Sequence, residues 1–188
     1  MKEEKKKKKP FIVRVLKFLI EMGVFILVVL ALTYLVATFV AQRVGVSNIS
    51  MEDTMTEGDI LLLDKITYRI RDPKRYEIIC FNSGFEREGL IKRIIGLPGE
   101  TVQITNGMIF IDGIQIDDVE GLDKIEDAGL AEQEIQLGDD EYFVVGDNRE
   151  KSIDSRSADI GNVKREDILG RTSLRIYPFD RFGMLKKK

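Results

Sequence analysis

Residues 46–55 read VSNISMEDTM and place two serines, Ser47 and Ser50, in one short polar stretch. A serine hydroxyl attacks a carbonyl only when a neighbouring group takes its proton, and the usual acceptor is imidazole. The chain contains no histidine, which excludes a Ser-His-Asp triad. Either Ser50 is an ordinary loop serine or its base is another side chain. A lysine serves as base in Ser-Lys enzymes, provided its amine is neutral. A free lysine titrates near about 10.4 and is almost wholly ammonium at neutral pH. Burial in apolar surroundings disfavours that charge. Lys92 meets the condition on sequence: GLIKRIIG sets it beside Ile91 and, past Arg93, Ile94 and Ile95. If this run is a strand, Lys92 and Arg93 point to opposite faces, so one reaches a dry site while the other meets a carboxylate. A lysine in a strand is more often simply solvated, and this segment alone leaves both readings open. So does GDNREKSIDSR (146–156), a stretch of turn-forming residues that hydrogen-bond their own backbone.

Other chemistries are closed by composition. Cys80 is the single cysteine, so no intramolecular disulfide is possible, and a Cys/His zinc site lacks ligands. Cys80 falls in the apolar run Ile78–Phe81 and reads as a small buried strand residue. No metal site is expected.

The elements that must position these residues begin with an anchor. Net charge is only −3, but it is unevenly spread. Residues 1–17 carry eight Lys/Arg against two Glu, and residues 117–141 carry eleven Asp/Glu against Lys124 alone. Residues 22–41, MGVFILVVLALTYLVATFVA, hold no charge. A helix of that length spans about 30 Å, the thickness of a bilayer's hydrocarbon core. Small residues do not occupy −3 before Ala37 or Ala41, so the segment reads as a permanent anchor rather than a cleaved leader. Lysines before it predict an inside N-terminus. The organisation is thus a basic cytoplasmic tail (1–21), a transmembrane anchor (22–41) and an extracytoplasmic domain (44–186) with an exposed acidic insert near 117–141. A nucleic-acid partner is not supported, because the basic residues are explained by topology and the outer domain is acidic.

Beyond the anchor the pattern is strand-like. DILLLDK (59–65), EIICF (77–81), EYFVV (141–145) and RTSLRIY (171–177) are short apolar runs between turn signals. Asn106-Gly107 and Asp112-Gly113 separate alternating segments and predict an antiparallel meander over residues 101–116. The outer domain is therefore expected to be mostly β, a barrel or a sandwich.

Taken together and in order, the segments resemble bacterial type I signal peptidases, membrane-bound Ser-Lys endopeptidases, in particular the short single-anchor Gram-positive members. The resemblance rests on one N-terminal anchor followed by SMEDTM, Gly58-Asp59, RDPKRYEIICF, IKRIIGLPGE and GDNREKSIDSR, and it covers nearly the whole chain. It implies a signal-peptidase-like β domain with Ser50 as nucleophile and Lys92 as general base. It also implies that Ser152 hydrogen-bonds and orients the lysine, and that Arg93–Asp147 and Asp154–Arg156 form ion pairs. Oxyanion donors would be the Ser50 backbone N–H and the Asn48 side chain. Val46, Ser47, Met51, Met55, Leu90 and Ile91 would line shallow substrate pockets. The implied partners are secretory preproteins with small residues at −1 and −3, together with the lipid bilayer, and no cofactor is implied. Two alternatives keep the likeness: a non-enzymatic factor in surface pilus assembly, and a paralogue with a few dedicated substrates. The chain departs from the family at Asp53, where proline is usual, at Ile49 and Met55, and at Arg75-Tyr76-Glu77, where Arg-Gly-Asp is preferred. An acid at position 53 near Lys92 would favour the ammonium and oppose its use as a base.

Overall fold

The computed structural model describes residues 10–52, 54–84 and 89–185. The chain divides into two compact units at Val40/Ala41. The first holds helix α1, Phe11–Phe39. It starts at Phe11 rather than at Met22, and Lys17 and Glu21 pair across one turn at 3.4 Å. Its apolar side chains are exposed on all sides, as at Phe25 and Leu27. A helix apolar all round has no core-facing stripe and suits a lipid surrounding. Among the described residues, α1 is the one helix long and apolar enough to cross a membrane.

The second unit is mostly β. Its larger sheet comprises β1 (Ala41–Gly45), β2 (Ile60–Asp64), β3 (Ile78–Phe81), β4 (Leu90–Gly96), β9 (Glu141–Val145), β10 (Val163–Lys164), β11 (Ile168–Tyr177) and β12 (Gly183–Met184). The order is β1-β2-β11-β3-β4-β9-β10, with β12 also on β11. β4 pairs with β3 along Leu90–Arg93, but β9 joins it only from Arg93 onward. Leu90, Ile91 and Lys92 therefore have a strand on one side only among the described residues.

The smaller sheet has the order β7-β6-β5-β8. It contains β5 (Thr101–Thr105), β6 (Met108–Ile111), β7 (Ile114–Ile116) and β8 (Ile135–Gln136). Its first three strands form the meander. Asn106-Gly107 and Asp112-Gly113 all have positive φ, between 51° and 77°, which is the signature of a type I′ hairpin turn. Inward residues Val102, Ile104, Ile109 and Ile111 pack on Ile95, Phe143 and Val145 of the larger sheet.

The acidic insert is not simply exposed. Val119, Ile125, Ala131 and Leu137 are buried, and the last three join the core beneath the smaller sheet. Apart from the half-buried Asp118 and Glu141, the acidic side chains are exposed, while the few apolar side chains between them cover the sheet. Only one 3-10 turn forms, Gly129–Glu132.

Candidate active site

Ser50 sits in the irregular turn between β1 and β2. Its base is closed by Val46 N–H donating to Asp59 O and Gly58 N–H to Val46 O, both at 2.9 Å. Inside it, Thr54 and Met55 N–H donate to Met51 O. Met51 and Met55 enter the core below the turn, both 1% exposed. Apolar anchoring of two side chains thus holds a segment that has no ladder of its own.

The strand register of β4 brings Lys92 beneath this turn. Its Nζ donates to Ser50 Oγ at 2.6 Å, and the two residues are only 1% and 6% exposed. Ser50 Oγ in turn donates to Asn48 Oδ1 at 2.7 Å, and Ser50 N–H reaches the same oxygen at 3.3 Å. Asn48 therefore presents its carbonyl oxygen to Ser50. The orientation follows from its neighbours: two Ser50 donors need an acceptor, and the carboxamide nitrogen has no lone pair to offer.

Arg93 leaves the opposite face of β4 and forks onto Asp147, with Nε at 2.8 Å from Oδ1 and Nη2 at 2.5 Å from Oδ2. Both are fully buried. A pair this deep is tolerable because its hydrogen bonds are completed. Arg93 Nη1 donates to Tyr76 O, and Thr54 Oγ1 donates to Asp147 Oδ2 at 2.5 Å. Tyr76 has φ +68°, a left-handed backbone at the position where the resembled family prefers glycine. Its hydroxyl donates to Asp117 O at 2.6 Å, so the side chain that strains the backbone also fastens the acidic insert.

Asp154 and Arg156 form a second buried fork, with Nε–Oδ1 at 2.8 Å and Nη2–Oδ2 at 2.9 Å. Asp154 also accepts from Gly146 N–H. Ser152 behaves differently from expectation. Its Oγ is buried and has no hydrogen-bond partner among the described residues, so the bond to Lys92 is not made. The hydroxyl lies against Gly146 instead: a Cβ on that glycine would stand 2.1 Å from Ser152 Oγ and 2.5 Å from Ser50 O. Gly146 is required here by close approach, not by its φ. Asp53 lies outside the described residues.

Two hollows border the segment that carries Ser50, and Asn48 lines both. A cavity of about 10 Å³ is walled by Val46, Ser47, Met51, Met55 and Ile91. Leu90 does not join them. It faces the opposite way along β4 and lines a larger cavity of about 300 Å³ with Ser50, Lys92, Ile49, Ile153 and Ile160. The last three residues were missed on sequence, although Ile153 is conspicuous as the one apolar residue in KSIDSR. Thr54 was missed as well, as was Arg149, which is 3% exposed and forks onto Asp118 at 2.6 and 2.7 Å.

A family model described as signal peptidase, peptidase S26, matches residues 19–177. The chain is 37% identical over 174 residues to the probable signal peptidase I-2 of Synechocystis sp., covering 88% of this chain and 77% of that one. It is 32% identical over 168 residues to signal peptidase I P of Bacillus subtilis subsp. natto, covering 86% and 90%. A crystal structure of a signal peptidase I from Enterococcus faecalis is 31% identical, covers 54% of this chain and 97% of that one, and has a TM-score of 0.45.

Proposed function

Because this chain belongs to the signal peptidase family, peptidase S26, and so to peptidases that cleave signal peptides, we propose that it does so with Ser50 as nucleophile and Lys92 as general base, held in a membrane by α1. The observation that carries this reading is the 2.6 Å contact between Lys92 Nζ and Ser50 Oγ at a nearly dry site. Lost hydration disfavours an ammonium there, and the neutral amine is the form that accepts a proton.

In the resting arrangement the serine proton points to Asn48 Oδ1. Reaction requires that O–H to swing toward the neutral Lys92 amine. Ser50 Oγ then bonds to the scissile carbonyl carbon as its proton passes to Nζ. The carbonyl oxygen, now anionic, is met by Ser50 N–H and by Asn48 once its carboxamide has turned to present Nδ2. Lys92 next gives the proton to the leaving amine, and the peptide bond breaks. A water, deprotonated by the same amine, hydrolyses the acyl-serine. Arg93–Asp147 and Asp154–Arg156 hold β4 and the 146–156 loop in place. Ser152, with a free buried hydroxyl facing Gly146, is a group that takes up the lysine when its bond to Ser50 reverses.

The preprotein adds as a strand along the open edge of Leu90–Lys92. Alternate residues of a strand share a side, so −1 and −3 face the cavity near Met51 and Ile91. Its 10 Å³ is about the room of one water, which admits Gly or Ala and refuses larger side chains. The lysines before α1 favour an inside N-terminus and so support a site on the outer side. The bilayer is then the second partner, and no cofactor is needed.

The test is cleavage of a preprotein by wild type, Ser50→Ala and Lys92→Ala in detergent. Each variant should lose about 10³-fold or more in kcat. Equal cutting by all three would refute the dyad. A folded wild type that cuts nothing would favour a non-enzymatic role in pilus assembly.

A further inference from the structure

The turn that carries Ser50 is gripped from its far end by two arginines of the C-terminal segment. We propose that Arg175 and Arg181 are positioning residues for the nucleophile, an inference that rests on the reading of Ser50 above. The centre of the device is Asp59, which closes the turn and is fully buried. A carboxylate there needs compensating charge. Arg175 Nε and Arg181 Nη2 approach its two oxygens at 2.9 Å each. These are charge contacts rather than aligned hydrogen bonds, since Asp59 Oδ1 and Arg175 Nε have none.

Both guanidinium groups then reach beyond Asp59 into the turn. Arg175 Nη2 donates to the backbone carbonyl of Thr54 at 2.6 Å, and Arg181 Nη1 donates to Thr56 Oγ1 at 2.6 Å. Asp59 Oδ2 accepts from Thr56 N–H at 3.0 Å. On the other side, the Thr54 hydroxyl is tied to Asp147. Thr54 is thereby held from two directions, four residues from Ser50, in a stretch with no strand pairing. The register of β11 on β2 shifts between Arg175 and Tyr177, and such an irregularity re-aims a side chain. Here it sits beside Arg175, the residue whose fork spans Asp59 and Thr54.

A brace that served stability alone would need only charge opposite Asp59. This one also contacts a carbonyl and a hydroxyl of the turn, and neither arginine lines the cavities at the site. Its loss should therefore displace Ser50 relative to Lys92, while the Leu90–Lys92 edge that takes the substrate strand and the burial of Lys92 in β4 stay in place. Misplacement of a reacting group by about 1 Å can cost about 10²-fold in rate.

The experiment compares kcat, KM, the pH–rate profile and the melting temperature of the full chain in detergent, with a preprotein substrate. The variants are Arg175→Gln, Arg175→Lys, Arg181→Gln and Ser50→Ala. Arg175→Gln should lower kcat about 10–100-fold per folded molecule, leave KM within about twofold and leave the pH midpoint in place. Arg181, 41% exposed at its side chain, should cost less, about 3–10-fold. Arg175→Lys should stay impaired, because one ammonium cannot span both Asp59 and Thr54 O. Should Arg175→Gln fail to fold, Arg175→Lys and Arg181→Gln decide on the same criteria. Unchanged kcat per folded molecule in those two variants, or a loss confined to melting temperature, overturns the brace while a cleaving wild type preserves the peptidase reading. A wild type no faster than Ser50→Ala overturns both.

Discussion

The two sheets of the second unit follow opposite rules. In the smaller sheet, β5 and β6 alternate in the ordinary way, with Val102, Ile104, Ile109 and Ile111 inward and their neighbours at least partly exposed. Its first three strands pair in succession through two-residue turns. In the larger sheet, every residue of β4 is buried, Lys92 and Arg93 included. The sheet as a whole is assembled from distant parts of the chain, with β11 inserted between β2 and β3. A strand dry on both faces can hold an amine away from water on one side only if the cation on the other side is fully paired. The smaller sheet contributes apolar packing, and the larger one contributes a buried electrostatic arrangement that the packing makes possible.

The sharpest way to break that contrast is Arg93→Leu. It strands Asp147 as a buried carboxylate without its cation, and unfolding free energy should fall by about 3–5 kcal/mol, with activity lost as Asp147, to which Thr54 is tied, loses the fork that holds it. A loss within error would mean that the pair is dispensable to the larger sheet. Ile109→Ala probes the other side. It empties a core position under the smaller sheet and should cost about 3 kcal/mol in denaturant unfolding, while kcat per folded molecule stays unchanged. A fall in kcat would show that the two sheets are functionally coupled.

The smallest effect concerns Glu77, the residue just before β3. Burial pushes its carboxyl upward, but donors from Arg71, Lys74 N–H and Tyr68 outweigh this and hold it down at about 2, from an ordinary 4.5. A depressed folded-state pKa contributes stability above the unfolded value that is lost as pH falls toward the folded one. Wild-type melting should therefore drop more steeply between pH 4.5 and 2 than that of Glu77→Gln. Parallel curves would remove Glu77 from the acid response.

What was legible in the sequence follows the same division. The meander could be read because Asn-Gly and Asp-Gly favour the positive φ that type I′ turns demand, a local property. Lys92 was readable because its apolar neighbours are adjacent in the chain. The separation of Leu90 from Ile91 into different cavities was also available from alternation, yet grouping them as one wall ignored it. Asn48 and Ser152 were not readable at the atomic level. Which end of a carboxamide faces Ser50, and whether one hydroxyl meets an amine or Gly146, depends on donors assembled from four segments. Arg175 and Arg181 were illegible for a related reason: their partners lie more than a hundred positions away. The buried residues of the acidic insert were hidden by the charges around them.

The claim on which all of this turns is that Lys92, kept dry by β4, takes the Ser50 proton. The most direct measurement is the pH dependence of kcat/KM for preprotein cleavage. The account predicts a rate that rises with pH through one group titrating well below the free-lysine value of about 10.4, with both the limb and the activity abolished in Lys92→Ala. A rate indifferent to pH, or the same limb persisting in a Lys92→Ala enzyme that still cleaves, would contradict it.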